Sequence, residues 1–293
     1  MPSYAAAQHS VGPNVLVVRD VPYIEDGHER QRLDIYRMKD AAEPLPVIVW
    51  IHGGGWQNGS KANCLPLRAG YVQKGYAVVS VGYRLTDVAG FPAQTDDCAA
   101  AIRWVAEHAD EHNLDADRIG VWGASAGGHL AAMAGLMPVK NDAGEGGEQR
   151  LPIKAVCDFF GPTDLMAFAD ASPRVRGPNS PEHKLLRGSI RDNPEKARQA
   201  SPITYVDAGD PPVLIVHGDE DPLVPLDQSE RLFKALTVAG VPVHLLVVKG
   251  GGHGRPGFAQ EAVTGPIETF FAAHLKTQTP AALPPRLTAT VGE

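Results

Sequence analysis

The sequence has few cysteines, few aromatic residues and no excess of positive charge. Its three cysteines, Cys64, Cys98 and Cys157, lie far apart and form neither a disulfide framework nor a CxxC metal-binding pair. The chain has 27 Lys and Arg residues against 34 Asp and Glu residues, a formal net charge of −7 at pH 7. Because binding to polyphosphate requires an excess of cationic side chains, we expect no nucleic-acid partner.

Long apolar runs are also missing. No stretch approaches the roughly 18 to 20 apolar residues that a membrane-spanning helix needs, so we expect no membrane partner. The first ten residues, MPSYAAAQHS, have neither the basic start nor the apolar core of a secretory signal. As it stands, the sequence indicates a cytoplasmic protein, and a secreted protein trimmed of its signal would look the same.

What the sequence does contain is an alternation of short β-branched runs with stretches of helical spacing. Eight runs predict strands, and they begin at Asn14, Arg32, Val47, Tyr76, Arg118, Ile153, Pro212 and Val243. The runs VIVWIH and PVLIVH are apolar almost throughout, which is typical of a sheet with helices on both faces. The first two runs leave no room for a helix between them, so we expect these two to be antiparallel and the later ones mainly parallel.

Four stretches predict helices, over 92–112, 126–137, 226–239 and 259–275. The clearest is the first, where Cys98, Ile102 and Val105 place apolar groups at i, i+4 and i+7. The fold class is therefore α/β, with an eight-stranded and mostly parallel sheet. No Pro/Ser-rich linker divides the alternating region, which predicts one domain over 1–276.

Two segments depart from the alternation. Residues 165–200 are polar and Pro-rich, which predicts a small insertion or lid. Residues 277–293, TQTPAALPPRLTATVGE, show no periodicity, so we expect an irregular tail outside the packed domain.

The sharpest motif is GASAGG, in which Gly123, Ser125 and Gly127 match GxSxG. It directly follows the predicted strand RIGVW and precedes a predicted helix. At such a tight strand-to-helix turn the flanking residues must be small, and the serine hydroxyl is exposed above the end of the sheet. An ordinary helix N-terminus preceded by small residues would match the same five-residue pattern, so this motif alone does not establish a catalytic serine.

A second motif, HGGGW, covers His52 to Trp56 and follows the strand VIVWIH. Consecutive glycines allow backbone N–H groups to face a ligand without an intervening side chain. Together with the N–H of Ala126, such groups can stabilise the oxyanion of a tetrahedral intermediate. The two motifs thus predict two parts of one acyl-transfer site.

A serine nucleophile needs a histidine base and a carboxylate that orients it. His253 lies in GGGHG on a flexible loop before the last predicted helix. The segment HGDEDPLVP, which starts at His217, offers three carboxylates at the same sheet edge: Asp219, Glu220 and Asp221. The order serine, acid, histidine agrees with that of α/β-hydrolases.

The other histidines favour structural roles. We expect His52 to hold the glycine loop through a backbone hydrogen bond, and His129 to lie on a helix surface or in its packing. The segment from His108 to His112 has the sequence HADEH, which differs from the HExxH motif of zinc proteases. GVWGASAGG does not fit the dinucleotide pattern GxGxxG, and there is no phosphate-binding P-loop. No metal site and no cofactor is predicted.

Four motifs in one order, HGGGW, GASAGG, HGDEDPLVP and GGGHG, resemble the α/β-hydrolase superfamily. Within it the chain is most similar to serine esterases of the acetyl-xylan and feruloyl esterase-like group, relatives of hormone-sensitive lipase-type carboxylesterases. The resemblance extends from about Arg32 to Leu275. One departure is GASAGG in place of the more usual GDSAGG. The resemblance implies a catalytic triad of Ser125, Asp221 and His253, with oxyanion-hole amides from Gly54, Gly55 and Ala126.

The resemblance also implies the substrate class. It points to hydrolysis of short-chain or aromatic acyl esters, with acetyl or feruloyl groups on carbohydrate as examples, through an acyl-enzyme. Trp56 and Phe160 are predicted to contact the substrate, a small-molecule or carbohydrate ester. The alternatives are a general carboxylesterase or lipase-like activity, a peptidase of the same fold, or a non-catalytic binding module. The sequence makes no prediction of oligomeric state.

Overall fold

The computed structural model describes residues 12–139, 149–276 and 283–292. The amino-terminal segment inspected for a secretory signal lies outside these residues. Within the described ranges, nine strands form one sheet in the order β1-β2-β4-β3-β5-β6-β7-β8-β9. The strands are β1 (Val15–Pro22), β2 (Arg32–Met38), β3 (Leu45–Ile51), β4 (Ala77–Val81), β5 (Leu114–Ala124), β6 (Ile153–Phe159), β7 (Val213–Gly218), β8 (Val243–Lys249) and β9 (Arg286–Thr290).

The strand directions follow the prediction. β2 is antiparallel to both of its neighbours, β1 and β4. The pairs from β4 through β3, β5, β6, β7 and β8 to β9 are parallel. The carboxyl ends of β3, β5, β6, β7 and β8 therefore lie at one edge of the sheet, which is where α/β proteins place their ligands.

Helices cover both faces of this sheet. They are α1 (Leu65–Arg68), α2 (Ala93–Glu107), α3 (Ala126–Leu136), α4 (Leu165–Ala171), α5 (Pro181–Leu186), α6 (Pro194–Gln199), α7 (Asp227–Ala239) and α8 (Glu261–Leu275). Within the described ranges, no helix combines the length and apolar character required to cross a bilayer.

Two hydrophobic cores lie on opposite faces because successive side chains of a strand point to opposite sides. In β3, Val47, Val49 and Ile51 pack with α2, α3 and α7. Ile48 and Trp50 pack on the other face with α8. The fully apolar runs seen in the sequence are thus strands buried on both sides, as predicted.

The segment predicted as an insertion, 165–200, folds into α4, α5 and α6. Most of its apolar side chains are buried, including Leu185, Leu186 and Ala197. The carbonyl of Leu185 accepts a hydrogen bond from the N–H of Phe91, a residue in the loop that leads into α2. The insertion is therefore attached to the main body through both packing and backbone contacts.

The tail corrects the sequence-based expectation. Residues 286–290 are not irregular: they form β9, which extends the sheet by parallel pairing with β8. The sheet has nine strands where eight were predicted. β9 is exposed along most of its length and buries Ala289, so its sequence lacks the apolar run that identified the other strands. Residues 277–282 of the predicted tail lie outside the described residues.

Candidate active site

Ser125 occupies a sharp turn between β5 and α3. Its backbone has φ 58° and ψ −121°, a conformation that costs a non-glycine residue energy and is held by the surrounding structure. A Cβ added to Gly123 would lie 2.0 Å from the carbonyl oxygen of Gly127, and one added to Gly127 would lie 2.1 Å from that of Ile51. Both flanking positions therefore require glycine, for the steric reason that the sequence motif suggested.

His253 joins the serine to a carboxylate. Its Nε2 lies 2.8 Å from Ser125 Oγ, and its Nδ1 lies 2.6 Å from Asp221 Oδ2. With Nδ1–H donating to the carboxylate, Nε2 is left to accept the proton of the serine hydroxyl. The three residues come from loops after β5, β7 and β8, and they meet because these strands end at the same edge of the sheet. The arrangement can activate a serine for attack on a carbonyl carbon.

Asp221 is held in place by three hydrogen bonds and by the nearby imidazole of His217. Its Oδ1 accepts the N–H groups of Leu223 and Val224 at 2.7 and 3.0 Å. Its Oδ2 faces His253 and also lies 3.3 Å from Nε2 of His217. Burial alone raises the pKa of a carboxyl, but the interactions with His217 and His253 and the N–H of Val224 together outweigh burial and hold the pKa of Asp221 well below its usual value. Asp221 is therefore ionised and aimed at His253.

The two other carboxylates of the same segment point elsewhere. Oδ1 of Asp219 accepts the N–H of Gly250 at 2.7 Å. Asp219 thus braces the start of the loop that carries His253. Glu220 is exposed, and its backbone N–H donates to the carbonyl of Gly251. Among the three candidate acids, only Asp221 contacts the imidazole.

The glycine loop after β3 packs directly against the serine turn. A Cβ added to Gly53 would lie 2.5 Å from the carbonyl oxygen of Ala124. Gly54 and Gly55 have φ of 118° and 60°, and the carbonyl of Gly54 accepts the N–H groups of Gln57 and Asn58. The loop is therefore fixed beside Ser125 and Ala126. This is the position from which the amides of Gly54, Gly55 and Ala126 were predicted to bind an oxyanion.

Comparison with known proteins places the chain in a family. The BD-FAE family model matches residues 33–236, which include Ser125, Asp221 and the glycine loop. The chain belongs to the BD-FAE family. His253 lies beyond the matched region, so its pairing with Ser125 rests on the geometry alone.

Individual relatives of this BD-FAE member are named esterases. Esterase LipQ of Mycobacterium tuberculosis is 36% identical over 225 residues, covering 75% of this chain and 53% of LipQ. The chain thus spans about half the length of this curated relative. A truncated carbohydrate esterase from gut microbiota superposes with a TM-score of 0.78 at 33% identity, covering 88% of this chain and 95% of that one. An acetyl ester-xyloside bifunctional hydrolase from Caldicellulosiruptor lactoaceticus gives a TM-score of 0.67 at 25% identity, covering 82% and 84%. These structures share the α/β-hydrolase fold.

In this BD-FAE protein the predicted substrate contact Trp56 is an interior residue. The side chain is only 2% exposed, and its indole N–H donates to Nδ1 of His129 at 3.2 Å. Nε2 of His129 in turn lies 2.7 Å from the carbonyl oxygen of Ala200. The placement corrects the expectation of a pocket-lining tryptophan: Trp56 ties the glycine loop to α3 and to the end of the insertion.

Phe160, the other predicted substrate contact, lies beside the imidazole. Its ring centroid is 4.5 Å from that of His253, and its backbone has φ 44°. The side chain is 6% exposed. The structure therefore brings Phe160 to the candidate site as a wall next to His253.

Several buried histidines support the site without touching the serine. Nδ1 of His52 lies 2.8 Å from the carbonyl oxygen of Gly53, as the sequence predicted. His129 is fully buried in the helix packing, one of the two places expected for it, and burial lowers its pKa to about 4. His217 holds Asp221, and Ser229 Oγ lies 2.6 Å from its Nδ1. Sequence reasoning missed the hydrogen-bond partners of His129 and the role of His217, and the signal available for His217 was its position at the end of an apolar run.

The described part of the chain contains no candidate metal site. No group of three or more His, Cys, Asp and Glu side chains there is arranged to hold an ion. Cys64, Cys98 and Cys157 are all buried and free. Burial raises the pKa of the Cys64 thiol to about 12, so this cysteine is not a reactive thiolate.

Proposed function

We propose that the protein is a serine carboxylesterase. The observation that carries the proposal is the pair of contacts made by His253, 2.8 Å to Ser125 Oγ and 2.6 Å to Asp221 Oδ2. The relatives named as esterases support the same activity.

In the first half of the proposed reaction, His253 takes the proton of Ser125 as its oxygen attacks the ester carbonyl carbon. Asp221 keeps the imidazole in the correct tautomer and stabilises its positive charge. The amides of Gly54, Gly55 and Ala126 bind the oxyanion that forms on the carbonyl oxygen. The C–O bond to the alcohol then breaks, the alcohol leaves with the proton held by His253, and an acyl-enzyme remains on Ser125.

In the second half, water replaces the alcohol. His253 takes a proton from water as its oxygen attacks the acyl carbon, and a second oxyanion forms at the same amides. The bond to Ser125 Oγ breaks, and His253 returns a proton to the serine oxygen. The products are a carboxylic acid and free enzyme, so the cycle needs no cofactor.

For the substrate, we propose short acyl esters of carbohydrates, with acetyl groups first and aromatic acyl groups such as feruloyl second. The rim of the site supports this class. Pro181 of α5 lies beside the glycine loop, since a Cβ added to Gly55 would be 3.0 Å from its Cβ, and Nζ of Lys184 donates to Oε1 of Gln57 at 2.7 Å. A polar rim of this kind suits a hydroxylated alcohol better than the apolar lid of an interfacial lipase. Two of the similar structures carry carbohydrate or acetyl ester activity in their names.

The activity is tested with Ser125→Ala. We expect turnover of p-nitrophenyl acetate to fall at least about 10⁴-fold, because the acyl-enzyme cannot form, while thermal unfolding stays within a few degrees of the unsubstituted protein. Ser189→Ala, at a serine whose Oγ accepts the N–H of Arg191 in the insertion, is the matched control and should keep full activity. Equal turnover by the two variants would contradict the proposal.

The substrate class is tested separately with p-nitrophenyl esters of rising chain length, acetylated xylan and methyl ferulate. We expect kcat/KM to be highest for acetyl or propionyl esters and acetate to be released from xylan. A rise in kcat/KM toward long acyl chains would contradict the carbohydrate-ester assignment and leave the esterase assignment in place.

A further inference from the structure

The strand β9 ends directly beside the loop that carries His253. This loop follows β8, whose last residue is Lys249, and the backbone N–H of Val291 donates to the carbonyl of Lys249 at 3.0 Å. The hydrogen bonds between β8 and β9 therefore continue to the point where the loop begins. Because the family model matches residues 33–236, β9 and the loop both lie beyond the region that defines the family.

The His253 loop contains little that would give it a fixed shape by itself. Five of the eight residues over 250–257 are glycine, and Gly250 and Gly257 have positive φ angles of 72° and 92°. Since glycine loses more conformational freedom on folding than any other residue, contacts from outside must hold the loop. Asp219 provides one such contact, through its hydrogen bond with the N–H of Gly250 at 2.7 Å.

Val291 supports the loop at both of its ends. A Cβ added to Gly250 would lie 3.7 Å from Cγ2 of Val291, and one added to Gly257 would lie 2.8 Å from the same atom. At Gly257, the absence of a side chain leaves the room that Val291 occupies. Val291 is half-buried and packs with the core on the α8 face. Its side chain is thus a wedge against which the loop around His253 begins and closes.

Gln260, directly before α8, fastens the same corner by hydrogen bonds. Its Nε2 donates to the carbonyl of Thr290 at 2.8 Å, and its Oε1 accepts the N–H of Gly292 at 3.4 Å. The backbone N–H of Gln260 donates to the carbonyl of Gly257 at 3.2 Å. One residue therefore joins both neighbours of Val291 to the end of the loop.

We propose that Val291 and Gln260 are positioning residues for His253. They hold the loop so that the imidazole keeps both of its contacts, 2.8 Å to Ser125 Oγ and 2.6 Å to Asp221 Oδ2. A shift of the loop lengthens at least one of these contacts, and misplacement of a catalytic group by about 1 Å can cost about 100-fold in rate. The kinetic consequence rests on the proposed esterase function, whereas the geometric consequence does not.

The test compares Val291→Ala with Leu287→Ala in the full chain. Both side chains lie on the same face of β9, four residues apart, and both are half-buried against the same core. We expect Val291→Ala to lower kcat for p-nitrophenyl acetate about tenfold, with KM within about twofold. Leu287→Ala removes the larger side chain, so it should lower Tm at least as much, yet keep kcat within about twofold. Val291→Ile keeps both γ carbons and should retain kcat within about twofold.

A second readout needs no turnover. The Nδ1–H proton of His253, held at 2.6 Å from the Asp221 carboxylate, should resonate far downfield in proton NMR spectra and is assigned by its loss in His253→Gln. We expect this signal in the unsubstituted protein and in Leu287→Ala, and its broadening beyond detection in Val291→Ala.

Gln260→Met keeps the test open if Val291→Ala fails to fold. Methionine preserves the length of the side chain and makes neither hydrogen bond to the residues beside Val291. We expect kcat to fall about three- to tenfold and the His253 signal to broaden as in Val291→Ala.

Equal kcat and an equally sharp His253 signal in Val291→Ala and Leu287→Ala would overturn the proposal, as would full kcat in Gln260→Met. Failure of the unsubstituted protein to hydrolyse any ester would instead overturn the esterase function. In that case the NMR comparison alone would decide whether β9 holds His253.

Discussion

Two regions meet above the carboxyl edge of the sheet, and they are held together in different ways. The glycine loops pack backbone against backbone: a Cβ on Gly53 would lie 2.5 Å from the oxygen of Ala124, and one on Gly218 would lie 2.1 Å from that of Gly251. The insertion over 165–200 instead contacts the loops through side chains, as Lys184 does at Gln57. Where two backbones touch, neither loop can shift or gain a side chain, whereas a contact between two side chains can be replaced by substituting the residues. The loops therefore set the reaction geometry, and the insertion is free to set substrate choice.

The largest effect is expected where a loop carboxylate orients the imidazole. In Asp221→Asn the amide can no longer accept the Nδ1–H of His253 in the same way, so the imidazole loses its correct tautomer. We expect kcat for p-nitrophenyl acetate to fall about 10⁴-fold. The measurement is steady-state kinetics at pH 7 to 8 on protein checked for unchanged circular dichroism.

Asp219→Asn is the matched control for that substitution. An asparagine oxygen can still accept the N–H of Gly250, the contact that Asp219 makes at 2.7 Å, so we expect less than about tenfold loss of kcat. If Asp219→Asn were as damaging as Asp221→Asn, the assignment of the acid would be wrong. The pair thus separates a carboxylate that acts on the imidazole from one that braces its loop.

The difference between the two regions also explains what the sequence could predict. GxSxG and HGGGW were recognisable because the turns they form admit only glycine, as the contacts of Gly123 and Gly127 show. The strand runs were recognisable because the strands are apolar on both faces. The insertion has no such constraint, and its three short helices were predicted only as a polar segment.

Other features could not be predicted because the residues that form their hydrogen bonds are distant in the sequence. Trp56 and His129 are joined by a hydrogen bond across 73 positions, and His129 and Ala200 by one across 71. Neither pairing leaves a local pattern, so Trp56 was expected at the substrate. β9 was missed for another reason: its backbone pairs with β8, but of its five side chains only Ala289 is buried.

A glycine substitution in each region tests the contrast in packing. Gly127→Ala would place its Cβ 2.1 Å from the oxygen of Ile51, whereas Gly177 in the insertion has no atom within 4 Å of a Cβ. Alanine favours a helix over glycine by about 1 kcal/mol, but steric conflict with fixed backbone outweighs this at Gly127. We expect Gly127→Ala to lower the free energy of unfolding by at least about 3 kcal/mol.

Gly177→Ala should change the free energy of unfolding by no more than about 0.5 kcal/mol. Both variants are measured by urea unfolding at neutral pH. Similar stabilities for the two would mean that the loops after β3 and β5 can shift to admit a side chain. In that case the contrast between rigid loops and an exchangeable insertion would not hold.

A further effect, confined to a pH window, concerns a buried carboxyl beneath the loops. Oδ1 of Asp158 accepts the N–H of Gly161 at 2.9 Å, and Oδ2 has no partner among the described groups. Burial raises the pKa of Asp158 from 3.8 to about 6, more than the hydrogen bond from Gly161 and the nearby His217 lower it. The folded state therefore binds this proton more tightly than the unfolded chain does.

The sign of the pH dependence follows from that difference. Below about pH 4 both states are protonated, and as pH rises from 4 to 6 the unfolded chain alone releases the proton, so the free energy of unfolding falls by about 3 kcal/mol. Asp158→Asn removes this titration and keeps an oxygen for the N–H of Gly161. Urea unfolding at pH 4, 5, 6 and 7 should show the variant gaining stability relative to the unsubstituted protein as pH rises. A constant difference over that range would show that Asp158 is ionised in the folded protein and that its surroundings are more polar than its burial implies.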